Sequence, residues 1–234
     1  MKQFISLLLL TGLSIACNAQ DMVIFQSNMR SKAANKLYEE EFRTVGSYRV
    51  KGNSYLMKGK NVSDIFTTLG YGVNVGIVYD TYTQQVAVMQ PDGSSVINLS
   101  LDEVDSFYLK VDKEGQVKGP AMFRNMAQID PSHTKYMQEI VNGSKYKVYK
   151  HYYAELENAS DNIAQSDLKQ FEIKADFYFI DYTATGTKVL VKIKPNLKGL
   201  KTYFKSSAFL NLLDQPNATN IEEKLITFFD TINS

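Results

Sequence analysis

Two histidines, His133 and His151, and one cysteine, Cys17, bound the chemistry open to this chain. A serine hydrolase needs a histidine placed to take the serine proton. His133 follows Asp130-Pro131-Ser132, a turn-forming run, and His151 falls inside the alternating stretch Lys147 to Tyr153, where a solvent-facing ring is expected. Neither belongs to a nucleophile or zinc-protease motif, since Gly-x-Ser-x-Gly and His-Glu-x-x-His do not occur. Cys17 lies in an N-terminal leader, so the rest of the chain has no thiol for catalysis, a cysteine zinc site or a disulfide. No residue pattern asks for a cofactor.

Carboxylates cluster at Glu39-Glu40-Glu41 and at Asp102-Glu103-Asp105. Such runs ordinarily form a solvated face or a helix start. The second group could supply oxygen ligands to calcium but lacks the glycine-containing loop spacing. Glycosidase acids come from distant parts of a chain and leave no short motif, so an envelope hydrolase with dispersed carboxylates stands as an alternative function. The lysines form a clearer pattern. Lys198, Lys201 and Lys205 recur at helical spacing opposite Leu197, Leu200 and Phe204, and Lys192 and Lys194 lead into them without an acidic residue. One positive face is expected there, suited to lipopolysaccharide phosphates or an acidic protein partner. The chain has 26 basic and 25 acidic side chains, and without Lys2 the two balance. That balance argues against nucleic acid as a partner.

The leader fixes the expected location. Lys2, an apolar run from Phe4 through Leu13, and small residues ending at Ala16 and Ala19 make residues 1–19 a secretory signal peptide. The apolar run is too short for a permanent span and no longer one follows, so no transmembrane segment is expected in the mature chain. Cleavage between Ala19 and Gln20 would release the protein. In a second reading, Ser14-Ile15-Ala16-Cys17 is a lipoprotein box with Leu13 one place too early, and Cys17 carries a lipid anchor. Either way the protein is exported, to the periplasm, the outer membrane surface or the medium.

The elements that must position the lysines are mostly strands. Val73, Val75 and Ile77 alternate with Asn74 and Gly76, and Val86, Val88 and Met89 follow. Pro91-Asp92-Gly93-Ser94 turns into Ser95 to Leu99, and Val104 to Val111 is closed by Asp112-Lys113-Glu114-Gly115. Asn142-Gly143-Ser144, between Tyr136–Val141 and Tyr146–Tyr149, is the strongest hairpin signal. Phe171 to Asp181 pairs through Thr185-Gly186 with Val189 to Lys194. Ser27 to Phe42 has the spacing of a helix with a thin apolar face (Ala33, Ala34, Leu37). Pro195 stops the strand before it, and Asn196 can cap a helix. Thr219 and Glu222 have capping-box spacing before the stripe Ile221, Leu225, Phe228, Phe229, Ile232. The expected fold is α+β: a β-rich antiparallel sheet or partly open barrel closed by C-terminal helices. Residues 20–234 form a single domain, with 195–234 as a helical tail packed on it.

The order of Ser100–Lys110 (SLDEVDSFYLK), Gly143–Tyr153 (GSKYKVYKHYY), Asp176–Asp181 (DFYFID) and Leu197–Ser234 resembles that of uncharacterised exported proteins of Bacteroidetes. That resemblance implies a cell-envelope or secreted location and carries over no functional residue. With the missing catalytic constellations, it makes a non-catalytic binding or scaffolding domain for an envelope component the leading expectation.

Overall fold

The computed structural model describes residues 42–57, 61–89, 96–110, 117, 119–159, 167–205, 208–214 and 220–234. Its first half is a run of strands: β1 (Phe42–Val45), β2 (Tyr48–Lys51), β3 (Val62–Thr67), β4 (Gly70–Asp80), β5 (Gln85–Met89), β6 (Val96–Leu99), β7 (Val104–Leu109) and β8 (Ala121–Asn125). The second half holds β9 (Tyr136–Asn142), β10 (Tyr146–Asn158), β11 (Leu168–Asp181), β12 (Val191–Ile193), α1 (Lys198–Tyr203), a 3-10 turn at Leu210–Asp214 and α2 (Ile221–Asn233). The leader with Cys17, Ala19 and Gln20, the turns at 91–94 and 112–115, and all but Phe42 of the expected first helix lie outside the described residues. Phe42 opens a strand.

The strands form one sheet in the order β1-β2-β11-β10-β9-β8-β7-β3-β4-β5-β6, with β12 added beside β11. The β-rich expectation holds, but the sheet is mixed and is not closed into a barrel. The parallel exception has a simple cause. At 14 residues β11 is long enough to seat two short strands end to end on one edge: β2 in parallel at Leu168–Gln170, and β12 antiparallel at Phe177–Phe179.

In place of closure the sheet curls. β9 pairs with β10 only as far as Lys150, which leaves the rest of that edge of β10 bare. The turn after β4 fills it: the Ala154 N–H donates to the Thr81 carbonyl, and the Gln84 side-chain amide donates to the carbonyls of Thr81 (2.6 Å) and Tyr152 (3.1 Å). Inside the curl Tyr79, Phe107, Phe123 and Tyr136 are fully buried, with Phe107 stacked on Phe123 at 4.8 Å. Such ring pairs add about 0.5–1.5 kcal/mol each beyond their buried area.

The strand alternation at Val73, Val75 and Ile77 is broken by one residue. Asn74 takes a left-handed φ of 57° and bulges opposite Asp64, which accepts its N–H at 2.9 Å. Below the bulge Val75 and Ile77 face the core; above it Gly72 does, and Tyr71 and Val73 turn outward.

A second core lies under the C-terminal helices. Val148, Phe177 and Phe179 on the sheet meet Leu200, Phe204, Leu225, Phe228 and Phe229. Of the apolar stripe of α2, Leu225, Phe228 and Phe229 are fully buried and Ile221 and Ile232 half-buried, and its cap shifts by one residue. Asn220, not Thr219, is the N-cap, and its side chain accepts the Glu223 N–H at 2.9 Å. At the far end the Asn233 side chain clamps the β9–β10 turn. Its Oδ1 accepts from the N–H groups of Lys145 (3.1 Å) and Tyr146 (2.8 Å), and its Nδ2 donates to the carbonyls of Tyr146 and Phe229. This explains Gly143, which does not adopt a left-handed φ: a Cβ there would lie 2.0 Å from the Asn233 amide.

Candidate functional site: a lysine-lined groove

Asp130, Ser132 and His133 meet, but not as a hydrolytic relay. The Ser132 hydroxyl donates to Asp130 Oδ1 at 2.6 Å, and His133 Nδ1 lies 2.9 Å from that hydroxyl and 3.3 Å from Asp130 Oδ2. Serine and carboxylate therefore crowd the same ring nitrogen, whereas a relay needs them at opposite ones. The Ser132 hydroxyl first, then the Leu190 and Ser132 N–H groups and His133, hold the Asp130 carboxyl down at about 2. The arrangement clips this loop to the chain entering β12 through the Leu190 N–H, 3.2 Å from Asp130.

His151 is buried, only 6% exposed, contrary to the solvent-facing expectation. Because the Gln84 amide nitrogen is committed to two carbonyls, its oxygen must be the acceptor for the Tyr79 hydroxyl (2.7 Å) and for His151 Nε2 (3.0 Å). His151 thus carries a proton at Nε2. Burial, with lesser repulsion from Lys135, Lys192 and His133, lowers its pKa to about 3.

The lysines are arranged by β12 and α1. Val191 and Ile193 face the C-terminal core, which turns Lys192 to the opposite side. After Pro195, Leu197 takes a left-handed φ of 55° and buries its side chain, while the Asn196 side chain accepts the Lys198 N–H. Asn196 therefore steadies the first turn of α1 without occupying the cap position expected of it. The result is an open groove of about 480 Å³ between the two elements, lined by Lys192, Lys194, Lys198, Gly199, Thr202 and Tyr203.

The three lysines of the expected face separate. Lys198 lines the groove; Lys201 pairs with Asp214; Lys205 is exposed beyond the last turn and outside the groove lining. Lys192 is neutralised by Asp176 at 2.5 Å, which raises its pKa. Among the described residues, Lys194 and Lys198 have no carboxylate within ion-pair distance. Tyr203, which the lysine spacing did not point to, forms one wall. Its ring packs edge-on against Phe179 at 5.0 Å, and its hydroxyl donates to Asp181 at 2.8 Å. Burial and Asp181 push that phenol up to about 12, so it stays neutral. The groove therefore combines the Tyr203 ring with exposed ammonium groups.

Compared with protein-family models, curated proteins and solved structures, the chain matches none. The residues themselves must carry the functional reading. Two further cavities lie among the described residues. One, of about 300 Å³, lies where the start of α2 meets β9 and β10, and there Lys150 binds Glu222 at 2.6 Å under the Tyr152 ring. Its carboxylates, Glu222 and Glu223, are neighbours on one helix and do not face each other across the space. The other is an open groove of about 780 Å³ along Tyr146, Phe204 and Phe209, with Asp181 on its lining.

The acidic run makes local hydrogen bonds and, among the described residues, no ion pair. Glu103 accepts from the Ser100 N–H and hydroxyl, Ser100 also holds Asp102 below the usual carboxylate range, and Asp105 binds the Gln128 amide. No group of three His, Cys, Asp or Glu able to hold a metal occurs among the described residues. Glu39-Glu40-Glu41 lie outside them. No described helix is long and apolar enough to cross a membrane.

Proposed function

We propose that the chain is an exported, non-catalytic binding protein of the cell envelope whose lysine-lined groove takes an anionic partner. The observation that carries this reading is the pair Lys194 and Lys198, without an acidic partner among the described residues, sharing a groove with the Tyr203 ring that forms one of its walls. An uncommitted ammonium pair over hydrocarbon attracts an anion that also brings apolar surface. The non-catalytic part is supported by the state of the groups a hydrolase would recruit: His151 is buried and neutral, and His133 shares one ring nitrogen with Ser132 and Asp130. The leader pattern and the likeness to exported Bacteroidetes proteins support the location.

The test is charge reversal of the groove, K194E/K198E, in a Cys17→Ala background that removes any lipid anchor, with envelope association measured by fractionation. Association should fall and should weaken with salt in the parent. Lys201→Ala, which removes a lysine paired with Asp214, should leave it unchanged. Equal association of the charge-reversed and parent proteins would remove the groove from the function.

A further inference from the structure

The bulge at Asn74 gives the β3–β4 hairpin an unusual end. Tyr71 and Val73 face outward with Phe66, the cross-strand neighbour of Tyr71, and Leu69 at the tip is 93% exposed. The turn is nevertheless well built. The Thr67 hydroxyl accepts the Leu69 N–H and donates to the Gly70 carbonyl, and the Thr68 N–H donates to the Glu103 carbonyl at 3.0 Å. That last bond brings the Asp102-Glu103 turn beside the tip. Among the described residues neither carboxylate has a cation within ion-pair distance. The end of the hairpin is an apolar knob with a carboxylate flank. The groove described above is its complement in charge, an open concavity lined by Tyr203 with Lys194 and Lys198 at its side.

In the single chain both surfaces are left open, and in the strand order β10, β9, β8 and β7 stand between β3 and β11, on which β12 docks. Leu69, at 93% exposure, is not seated in its own groove. Removing a water-exposed leucine from solvent is favourable, so a largely apolar groove is a place for it.

We propose that the anionic partner of the lysine groove is the β3–β4 tip of a second copy of this chain, so that Leu69 enters the groove and Asp102 and Glu103 face Lys194 and Lys198. This rests on the reading of the groove given under the proposed function and names its occupant. Tip and groove are different surfaces, so the contact is heterologous: each added copy presents a fresh tip and a fresh groove, and assembly proceeds to a ring or an open chain.

Sedimentation velocity on the purified protein tests this with two variants, Leu69→Asp and K194E/K198E. All three side chains are exposed, so both variants should melt like the parent. The parent should sediment faster as its concentration rises and more slowly as salt is added. Each variant alone should remain a monomer where the parent associates. Mixed in equal amounts they should form a heterodimer and nothing larger, because the pair contains one intact tip and one intact groove. A parent that stays monomeric up to its solubility limit, or a Leu69→Asp protein that associates like the parent, overturns the proposal. Failure of the groove reading looks different: K194E/K198E then keeps both envelope association and self-association. If Leu69→Asp abolishes assembly while K194E/K198E does not, the tip docks elsewhere and the proposal also fails.

Discussion

Replacing His151 by glutamine should change how stability depends on pH more than it changes stability itself. The glutamine nitrogen can still donate to Gln84, so the variant loses ring packing on Tyr153 and no hydrogen bond in principle; at pH 7 the cost should be about 1–2 kcal/mol. The pH term follows from burial. In the unfolded chain the imidazole titrates near 6.5, whereas in the fold its pKa is lowered to about 3. Below pH 6.5 the unfolded chain therefore takes up a proton that the folded one refuses, and the parent loses stability as pH falls towards 3. Between pH 7 and pH 5 this loss is about 2 kcal/mol. The variant lacks this proton, while every carboxylate and His133 is common to both proteins and cancels in the comparison. Urea unfolding of both proteins at pH 7, 6 and 5 should show the gap between them closing by about 2 kcal/mol, with equal m-values. A gap that stays constant would mean that the ring is solvated in the fold, and one that widens that it is charged there; either would overturn the assignment of a neutral, buried His151.

Two other outcomes follow from packing and capping. Gly143→Ala should destabilise by about 2–3 kcal/mol because its Cβ would collide with the Asn233 amide, and much less in an Asn233→Ala background; denaturant midpoints of the four proteins give the coupling directly. Asn220→Ala should cost about 1 kcal/mol and Thr219→Ala close to nothing, measured the same way, since the cap of α2 is Asn220.

The readable parts of this sequence were those whose pattern is local. The β9–β10 hairpin and the stripe of α2 each bury residues at the spacing of their own element, so periodicity located them. β3 was hidden because one of its two fully inward positions is Ser63, which erases the alternation. The parallel seat of β2 on β11 depends on the length of a partner more than a hundred residues away, which no local window contains. Asn142-Gly143 marked a hairpin correctly, yet the reason for glycine is a contact with Asn233 and not a turn angle. At the site, the charge of the lysine run was visible. Its division was not: Asp214 and Asp176 withdraw Lys201 and Lys192, and both partners are distant in sequence. The same applies to His151, whose burial is set by Gln84 on a turn 67 residues away.

The clamp at Asn233 has a consequence for how the chain folds. The N–H groups it binds, at Lys145 and Tyr146, precede it by 88 and 87 residues. A chain synthesised from its N-terminus completes the β9–β10–β11 strands long before it makes α2, and meanwhile Val148, Phe177 and Phe179 lack their cover. The contacts that cover this half from α2 are long-range and form last, so completing the fold should be slow and the nascent chain dependent on holding factors. For the exported protein proposed above, that delay would keep the chain threadable.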